Sequence, residues 1–219
     1  MARLLFEKTG NAVWISHLDL MRLFQRSFKR AGLPLKHTQG FNPRPSVSIA
    51  LPLSVGVYSH CELLDFDLDC DFKEWDILAD SLNSVLVEGV RVLQVYHDGR
   101  KIRDLCLMRS LIYLEYDNGI PTGTADAITA LLTQDTLTVT KKTKSGPQEQ
   151  DIIPMIRSYA VQKAGEKLLT IDVLHCCQNP TLNPMQIPTA IAKFLPDRKP
   201  DFSKCCRVEI YDSREVVFR

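Results

Sequence analysis

The side chains best suited to chemistry in this sequence are basic and lie three to four residues apart. Arg22, Arg26 and Lys29 fall on one face of a predicted helix, and Arg30 flanks them. Cations at this spacing can follow the phosphates of a nucleic acid, which supply most of the affinity of such complexes. A solvated helix face has the same pattern, so the stripe alone leaves both interpretations open.

A stiff turn after this helix adds an aromatic ring and another cation. Gly40 and Asn42 permit unusual backbone angles, while two prolines restrict the same segment. An exposed Phe41 would stack on a base, and Asn42 would contact a base or ribose. Arg44 would bind a phosphate, extending the basic surface. A buried Phe41 would fill the core instead.

A histidine in the first turn of the helix is the one candidate for catalysis. A helix N-terminus disfavours a charged imidazole, so we favour a neutral, hydrogen-bonded His17. With Ser16, Asp19 and Gly40 it would fix the junction between helix and loop. The alternative is a general acid or base, paired with His37 or Asp19, in an RNA-processing reaction.

The seven cysteines predict neither a disulfide framework nor a metal site. Their number is odd, and Cys176–Cys177 and Cys205–Cys206 are adjacent. Zinc thiolates usually lie two to four residues apart. His60, Cys61 and Glu62 alternate sides of a strand and cannot converge on one ion. We expect reduced, packed thiols, with no metal and no cofactor.

Charge is distributed unevenly although the net charge is +1. Residues 1–60 contain eight Lys and Arg against two Asp and Glu, whereas residues 61–98 contain two against ten. Part of the acidic excess forms an alternating row on a predicted strand, which is either a solvated face or a surface for a basic partner. This row consists of Asp65, Asp67, Asp69 and Asp71.

Strands and helices alternate in an order that predicts an α+β fold. We interpret it as ferredoxin-like βαβ sandwich units, two in tandem, with domains at residues 1–98 and 99–219. The first helix follows the N-cap Ser16 and stops at Gly32. Its predicted apolar face contains Leu18, Met21, Phe24, Phe28 and Ala31. Other helices are predicted at 72–86, at 124–132 and from Asn183, and strands at 3–9, 12–15, 33–38, 46–50, 64–68, 90–95, 105–116, 136–141, 157–163, 167–174 and 206–211.

The N-terminal segment has charges inside its apolar stretch, and no apolar run reaches the roughly 18 residues that a bilayer requires. We therefore expect a cytoplasmic protein that does not bind a membrane. Phosphate-binding glycine motifs and a Gly-x-Ser-x-Gly elbow do not occur in the sequence.

Several segments together resemble the N-terminal signature of the bacterial radical-SAM-linked protein family. They are Lys8–Gly10, Ser16–Arg22, Ala31–Pro34, Gly40–Pro45 and Leu53–Gly56, with Leu182–Pro184 similar to the C-terminal part of that family. The resemblance implies a partner, a radical SAM protein with a cobalamin-binding domain, encoded beside or fused to such chains. This chain has no Cys-x3-Cys-x2-Cys run for an iron–sulfur cluster, so it would be the companion of the radical enzyme.

The preferred function is that of a non-catalytic accessory protein. It would bind structured RNA, tRNA or rRNA, and present it to the radical SAM partner. Two alternatives stay open: a protein-interaction adaptor without RNA affinity, and a histidine-dependent RNA-processing enzyme that uses His17.

Overall fold

The computed structural model describes residues 1–70, 72–143 and 146–219, with the side chains of 142 and 143 left out. These residues contain ten strands and four α-helices, which confirms the α+β class. The chain divides into two units, one of Met1–Asp104 with Phe218–Arg219 and one of Leu105–Val217. Among the described residues, no helix is both long and apolar enough to span a membrane.

The first unit has the order β-α-β-β-α-β, one strand fewer than predicted between its two helices. In chain order its elements are β1 (Ala2–Lys8), α1 (His17–Arg30), β2 (Val47–Ile49), β3 (Tyr58–Phe66), α2 (Trp75–Asn83) and β4 (Val90–Tyr96). The strands form an antiparallel sheet in the order β4-β1-β3-β2. Helix α1 packs on this sheet through aromatic rings: Phe24 lies 4.7 Å from Phe6, and Phe28 lies 4.9 Å from Phe66, between centroids.

The second unit repeats this order with one insertion. Its elements are β5 (Leu107–Glu115), α3 (Thr124–Leu132), β6 (Thr138–Thr143), β7 (Gly146–Asp151), β8 (Ile156–Lys163), β9 (Leu168–Cys176), α4 (Gln186–Phe194) and β10 (Phe202–Tyr211). Its four-stranded antiparallel sheet has the order β10-β5-β9-β8. Strands β6 and β7, which lie between α3 and β8 in the chain, form a separate two-stranded sheet and pair with no other described strand.

Helix α1 begins and ends close to the predicted residues, but its buried face differs. Ser16 caps the helix, and Gly32, with φ +72°, follows its end. The fully buried side chains are Leu20, Phe24, Ser27 and Phe28. The predicted burial of Leu18 is wrong, since it is 66% exposed. It lies four residues before Arg22 and therefore shares the outer face of the helix.

Three other element predictions are wrong. Gly10–Trp14 is a 3₁₀-helix rather than a strand. Residues 33–38 form no strand and contribute only isolated bridges. The last helix starts at Gln186 rather than at Asn183, which places Pro188 in its first turn. A proline is tolerated there because first-turn N–H groups have no partner within the helix.

The predicted half-buried strand with an acidic outer side is confirmed within β3. Leu64 and Phe66 are fully buried, while Asp65 between them is partly exposed. The carboxylate of Asp65 accepts hydrogen bonds of 2.6 and 3.0 Å from the buried guanidinium of Arg3. Asp67 accepts one of 3.1 Å from Ser46. Two members of the acidic row are therefore used inside the first unit, and Asp71 lies outside the described residues.

Candidate nucleic-acid interface

A network of short polar contacts organises the first turn of α1. The Ser16 hydroxyl donates a hydrogen bond of 2.7 Å to the Asp19 carboxylate and accepts one of 3.2 Å from the Asp19 backbone N–H. Arg22 donates to the same carboxylate at 2.9 Å. These bonds from Ser16 and Arg22 hold the pKa of Asp19 below its ordinary value. The charge of Arg22 is therefore partly offset within its own helix.

His17 does not take the role expected of it at this junction. It is half-buried, and its Nδ1 atom is buried without a hydrogen-bond partner among the described residues. His37 forms a bridge with Pro45 beyond the other end of α1, a helix of 14 residues and so about 21 Å long. His17 and His37 thus do not form an acid–base pair in this structure.

The basic stripe lies on the solvent side of α1, as predicted. Arg22, Arg26, Lys29 and Arg30 are all exposed. Within the part of the chain that the structure describes, only Arg22 among these four forms an ion pair. Arg26, Lys29 and Arg30 therefore present uncompensated charge to solvent, which suits them to an anionic ligand.

The turn after α1 is a closed loop with an aromatic tip. The backbone N–H of Thr38 donates to the carbonyl oxygen of Arg44 at 2.8 Å, and the Arg44 N–H donates to the Thr38 hydroxyl at 3.0 Å. Gly40 has φ +130°, a conformation that side chains other than glycine disfavour. Phe41 is fully exposed, and Asn42 and Arg44 are also exposed. The alternative that Phe41 fills the core is therefore wrong.

A groove of about 590 Å³ lies between the second half of α1 and the stem of this loop. Its walls combine apolar and polar side chains, among them Gln25, Lys29, Pro34, His37, Pro45 and Asp69. The structure thus brings Lys29 of the predicted set to the base of the loop that holds Phe41, Asn42 and Arg44. It places Arg22 in the first half of the same helix, next to Asp19. Gly40 belongs to the loop and not to the junction at Ser16.

A buried cation that the sequence did not predict shapes the entry to α1. Lys8 is completely buried, and its ammonium donates hydrogen bonds of 3.1 and 2.7 Å to the carbonyl oxygens of Val13 and Ile15. The sequence contains a signal for the burial of Lys8. Leu4, Phe6 and Lys8 occupy every second position of β1, and alternate residues of a strand point to the same side. Trp14, between the two residues whose carbonyls Lys8 binds, is exposed, and its ring lies against Gly56.

Trp14 is one of three exposed apolar side chains on the segments near the start of α1. It is 67% exposed, and Leu18 and Val55 are also largely exposed. The N–H of Gly56 donates to the carbonyl oxygen of Val13 at 2.8 Å, which fixes the loop beneath the indole. We name Trp14, Leu18 and Val55 the Trp14 patch.

A histidine, a serine and several cysteines of the second unit lie inside it. Ser110 and His175 are buried, with the Ser110 oxygen 2.9 Å from Nε2 of the histidine. Burial lowers the pKa of His175 to about 4 and raises the pKa of the Cys177 and Cys205 thiols to about 12. Among the described residues no group of three or more His, Cys, Asp and Glu is placed to hold a metal ion. His60, considered above as part of a metal site, has its Nδ1 atom 3.2 Å from the carboxylate of Glu7.

The fold and this surface define an α+β protein with an exposed basic helix and an aromatic loop. The chain belongs to a family described as uncharacterized proteins conserved in bacteria (DUF2344), which matches residues 2–184. Membership of a family of bacterial proteins is thereby confirmed, while the link to a radical SAM protein stays a prediction. No curated protein matches the chain.

Two solved structures align over most of the chain. A crystal structure of a Cbf5-Nop10-Gar1 complex contains a chain that aligns with a TM-score of 0.53 and 8% identity, over 95% of this chain and 48% of that one. This chain therefore spans about half the length of that match, and the likeness is one of fold alone. An unknown protein from Galdieria sulphuraria aligns over 94% of this chain and 97% of its own, with 12% identity and a TM-score of 0.27.

Proposed function

We propose that this protein binds structured RNA, tRNA or rRNA, as a non-catalytic accessory protein of a cobalamin-dependent radical SAM enzyme. RNA binding is supported by the exposed stripe of Arg22, Arg26 and Lys29, which leads toward a loop with a fully exposed Phe41. Phosphates bind to such cations in any sequence context, and the aromatic ring adds a base contact.

The role of each residue follows from its exposure and its neighbours. Arg26 and Lys29 bind phosphates, since neither is in an ion pair with a described residue. Arg22 contributes less charge because Asp19 lies 2.9 Å away. Arg44 extends the phosphate surface at the stem of the loop, and Asn42 contacts a base or ribose beside Phe41.

The partner is suggested by the resemblance to the radical-SAM-linked family and by the Trp14 patch. An exposed tryptophan with apolar neighbours is typical of the centre of a protein–protein interface. We assign this patch to the radical SAM protein with its cobalamin-binding domain, and we place the complex in the cytoplasm. Each unit of the accessory protein would be a ferredoxin-like domain, because both have the β-α-β-β-α-β order.

The RNA proposal is tested by fluorescence anisotropy with tRNA and rRNA fragments at low and high salt. A triple variant, Arg22→Glu, Arg26→Glu and Arg44→Glu, is compared with the wild type and with a control triple, Arg157→Glu, Lys163→Glu and Lys167→Glu. The control residues are exposed cations of the second unit. Circular dichroism verifies that all three proteins are folded.

Binding that weakens with salt, is lost in the first variant and persists in the control supports the proposal. Absence of wild-type binding, or equal loss in both variants, overturns it.

The Trp14 patch also favours a second candidate, a protein adaptor without RNA affinity. Its test is pull-down of the radical SAM partner with the variant Trp14→Ala, Leu18→Ala and a control, Phe194→Ala, whose ring is exposed in the second unit. Partner binding lost only in the patch variant, with no RNA binding by the wild type, would establish the adaptor function instead.

A further inference from the structure

We propose that the groove between α1 and the loop stem, together with Phe41, binds an unpaired nucleotide of the RNA. The protein would then recognise single-stranded loops or bulges and discriminate against continuous duplex. This inference rests on the proposed RNA-binding function and specifies the class of RNA.

The groove has the size and composition of a site for one small planar group. Its volume of about 590 Å³ lies within the usual range of about 300–1,000 Å³ for ligand sites. Pro34 and Pro45 supply flat apolar walls, and Leu33 and Leu35 form a buried floor. Such a lining suits the face of a nucleobase better than a hydrated phosphate.

Polar groups in the same groove match the rest of a nucleotide. Lys29 lines it and is exposed, so its ammonium can reach a phosphate at the mouth. Gln25 and Asp69 also line it and can donate to or accept from the edge of a base. The neighbouring cations Arg26 and Arg30 continue the positive surface along the helix and favour an anionic ligand over an uncharged one.

Phe41 favours unpaired RNA over double-stranded RNA. Its ring is fully exposed on a loop whose stem is closed by two hydrogen bonds between Thr38 and Arg44. A rigidly presented ring can stack on a base only where that base is not already stacked on both sides. In a paired RNA helix the bases are stacked and their edges lie in grooves, so Phe41 has a partner only in unpaired segments.

The test compares three labelled RNAs by anisotropy: a hairpin with an unpaired loop, a blunt duplex of the same length and an unstructured single strand. The hairpin and the single strand are expected to bind about tenfold more tightly than the duplex, which is the typical gain from stacking one base. Phe41→Ala is expected to abolish this preference while duplex binding stays unchanged. Phe41→Trp retains the preference, and its indole fluorescence decreases on binding the hairpin.

Two controls make the outcomes distinct. Phe202→Ala removes an exposed ring of the second unit and should change nothing. Lys29→Ala should weaken the binding of all three RNAs, and of the unpaired ones most, whereas Lys163→Ala should leave binding unchanged. Equal, salt-dependent affinity of the wild type for hairpin and duplex would overturn this inference and leave the proposed function intact. Absence of binding to every RNA would overturn both.

Discussion

The ammonium nitrogen of Lys8 lies 2.7 Å from the carbonyl oxygen of Ile15, two residues before α1 begins. A second bond of 3.1 Å reaches the carbonyl of Val13. A completely buried cation thus holds both ends of a three-residue segment whose middle residue, Trp14, is exposed. The shape of the Trp14 patch therefore depends on a residue that never meets solvent.

Replacement of Lys8 by methionine should destabilise the protein while preserving most of the buried volume. Two buried carbonyls would lose their donor, and an unsatisfied buried polar group costs about 1–3 kcal/mol. We expect the free energy of unfolding, measured by urea titration, to fall by about that amount. The control Lys101→Met alters an exposed lysine of the same unit. A Lys8→Met protein as stable as the control would contradict this account.

Replacement of Asp19 by asparagine should strengthen RNA binding. Asp19 pairs with Arg22 and, because its pKa is lowered, remains ionised throughout the neutral range. Its removal would free Arg22 for a phosphate, so we expect affinity to rise about threefold and the salt dependence to steepen by up to about one phosphate contact. Asp135→Asn, at an exposed carboxylate of the second unit, is the control. Weaker binding by Asp19→Asn would assign Asp19 a direct role in the interface.

The buried His175 should make stability dependent on pH on the acidic side. Its pKa is lowered from 6.5 to about 4 in the folded state, so below about pH 6.5 only the unfolded chain gains the proton. Stability is complete near neutral pH and falls by about 2 kcal/mol between pH 7 and pH 5. Urea titrations at the two pH values measure this slope. His175→Gln should flatten it, whereas His60→Gln, at an exposed histidine, should not.

The cysteines should differ strongly in reactivity towards a disulfide reagent such as Ellman's. Cys70 is exposed, while burial raises the pKa of Cys205 to about 12 and of Cys206 to about 11, so that both remain neutral thiols. We expect a rapid equivalent from Cys70 that is absent in Cys70→Ser, a slower one from the partly exposed Cys106, and all seven after unfolding. Rapid native reaction of the Cys205–Cys206 pair would indicate that these thiols reach solvent.

Helix α1 could be predicted because its signals are local. Ser16, Gly32 and the 3.6-residue spacing of Phe24 and Phe28 lie within one stretch of chain. The same spacing predicted the exposure of the basic stripe. The prediction for Leu18 was wrong because Leu18 lies four residues before the exposed Arg22 and so shares its face of the helix.

The features that were missed depend on contacts between elements, which the local pattern of one helix or strand does not contain. Val13, Trp14 and Ile15 have the composition of a strand, yet the ammonium of Lys8 binds carbonyls on either side of Trp14. Strand β7 contains proline, glycine and charged residues and pairs only because β6 lies beside it. The groove is equally non-local, because it joins Lys29 of the helix to Asp69 beyond β3.

The position of Phe218 has a consequence for the order in which the two units can complete their folding. Its ring is fully buried in the first unit, 5.6 Å from the guanidinium of Arg3 and 4.9 Å from that of Arg100, and the carbonyl of Arg219 accepts a bond from the Arg100 N–H. Domains usually complete their folding during synthesis from the N-terminus onward. Here the core of the first unit includes Phe218, which is translated after every residue of the second unit. During synthesis on the ribosome the second unit is therefore complete before the first.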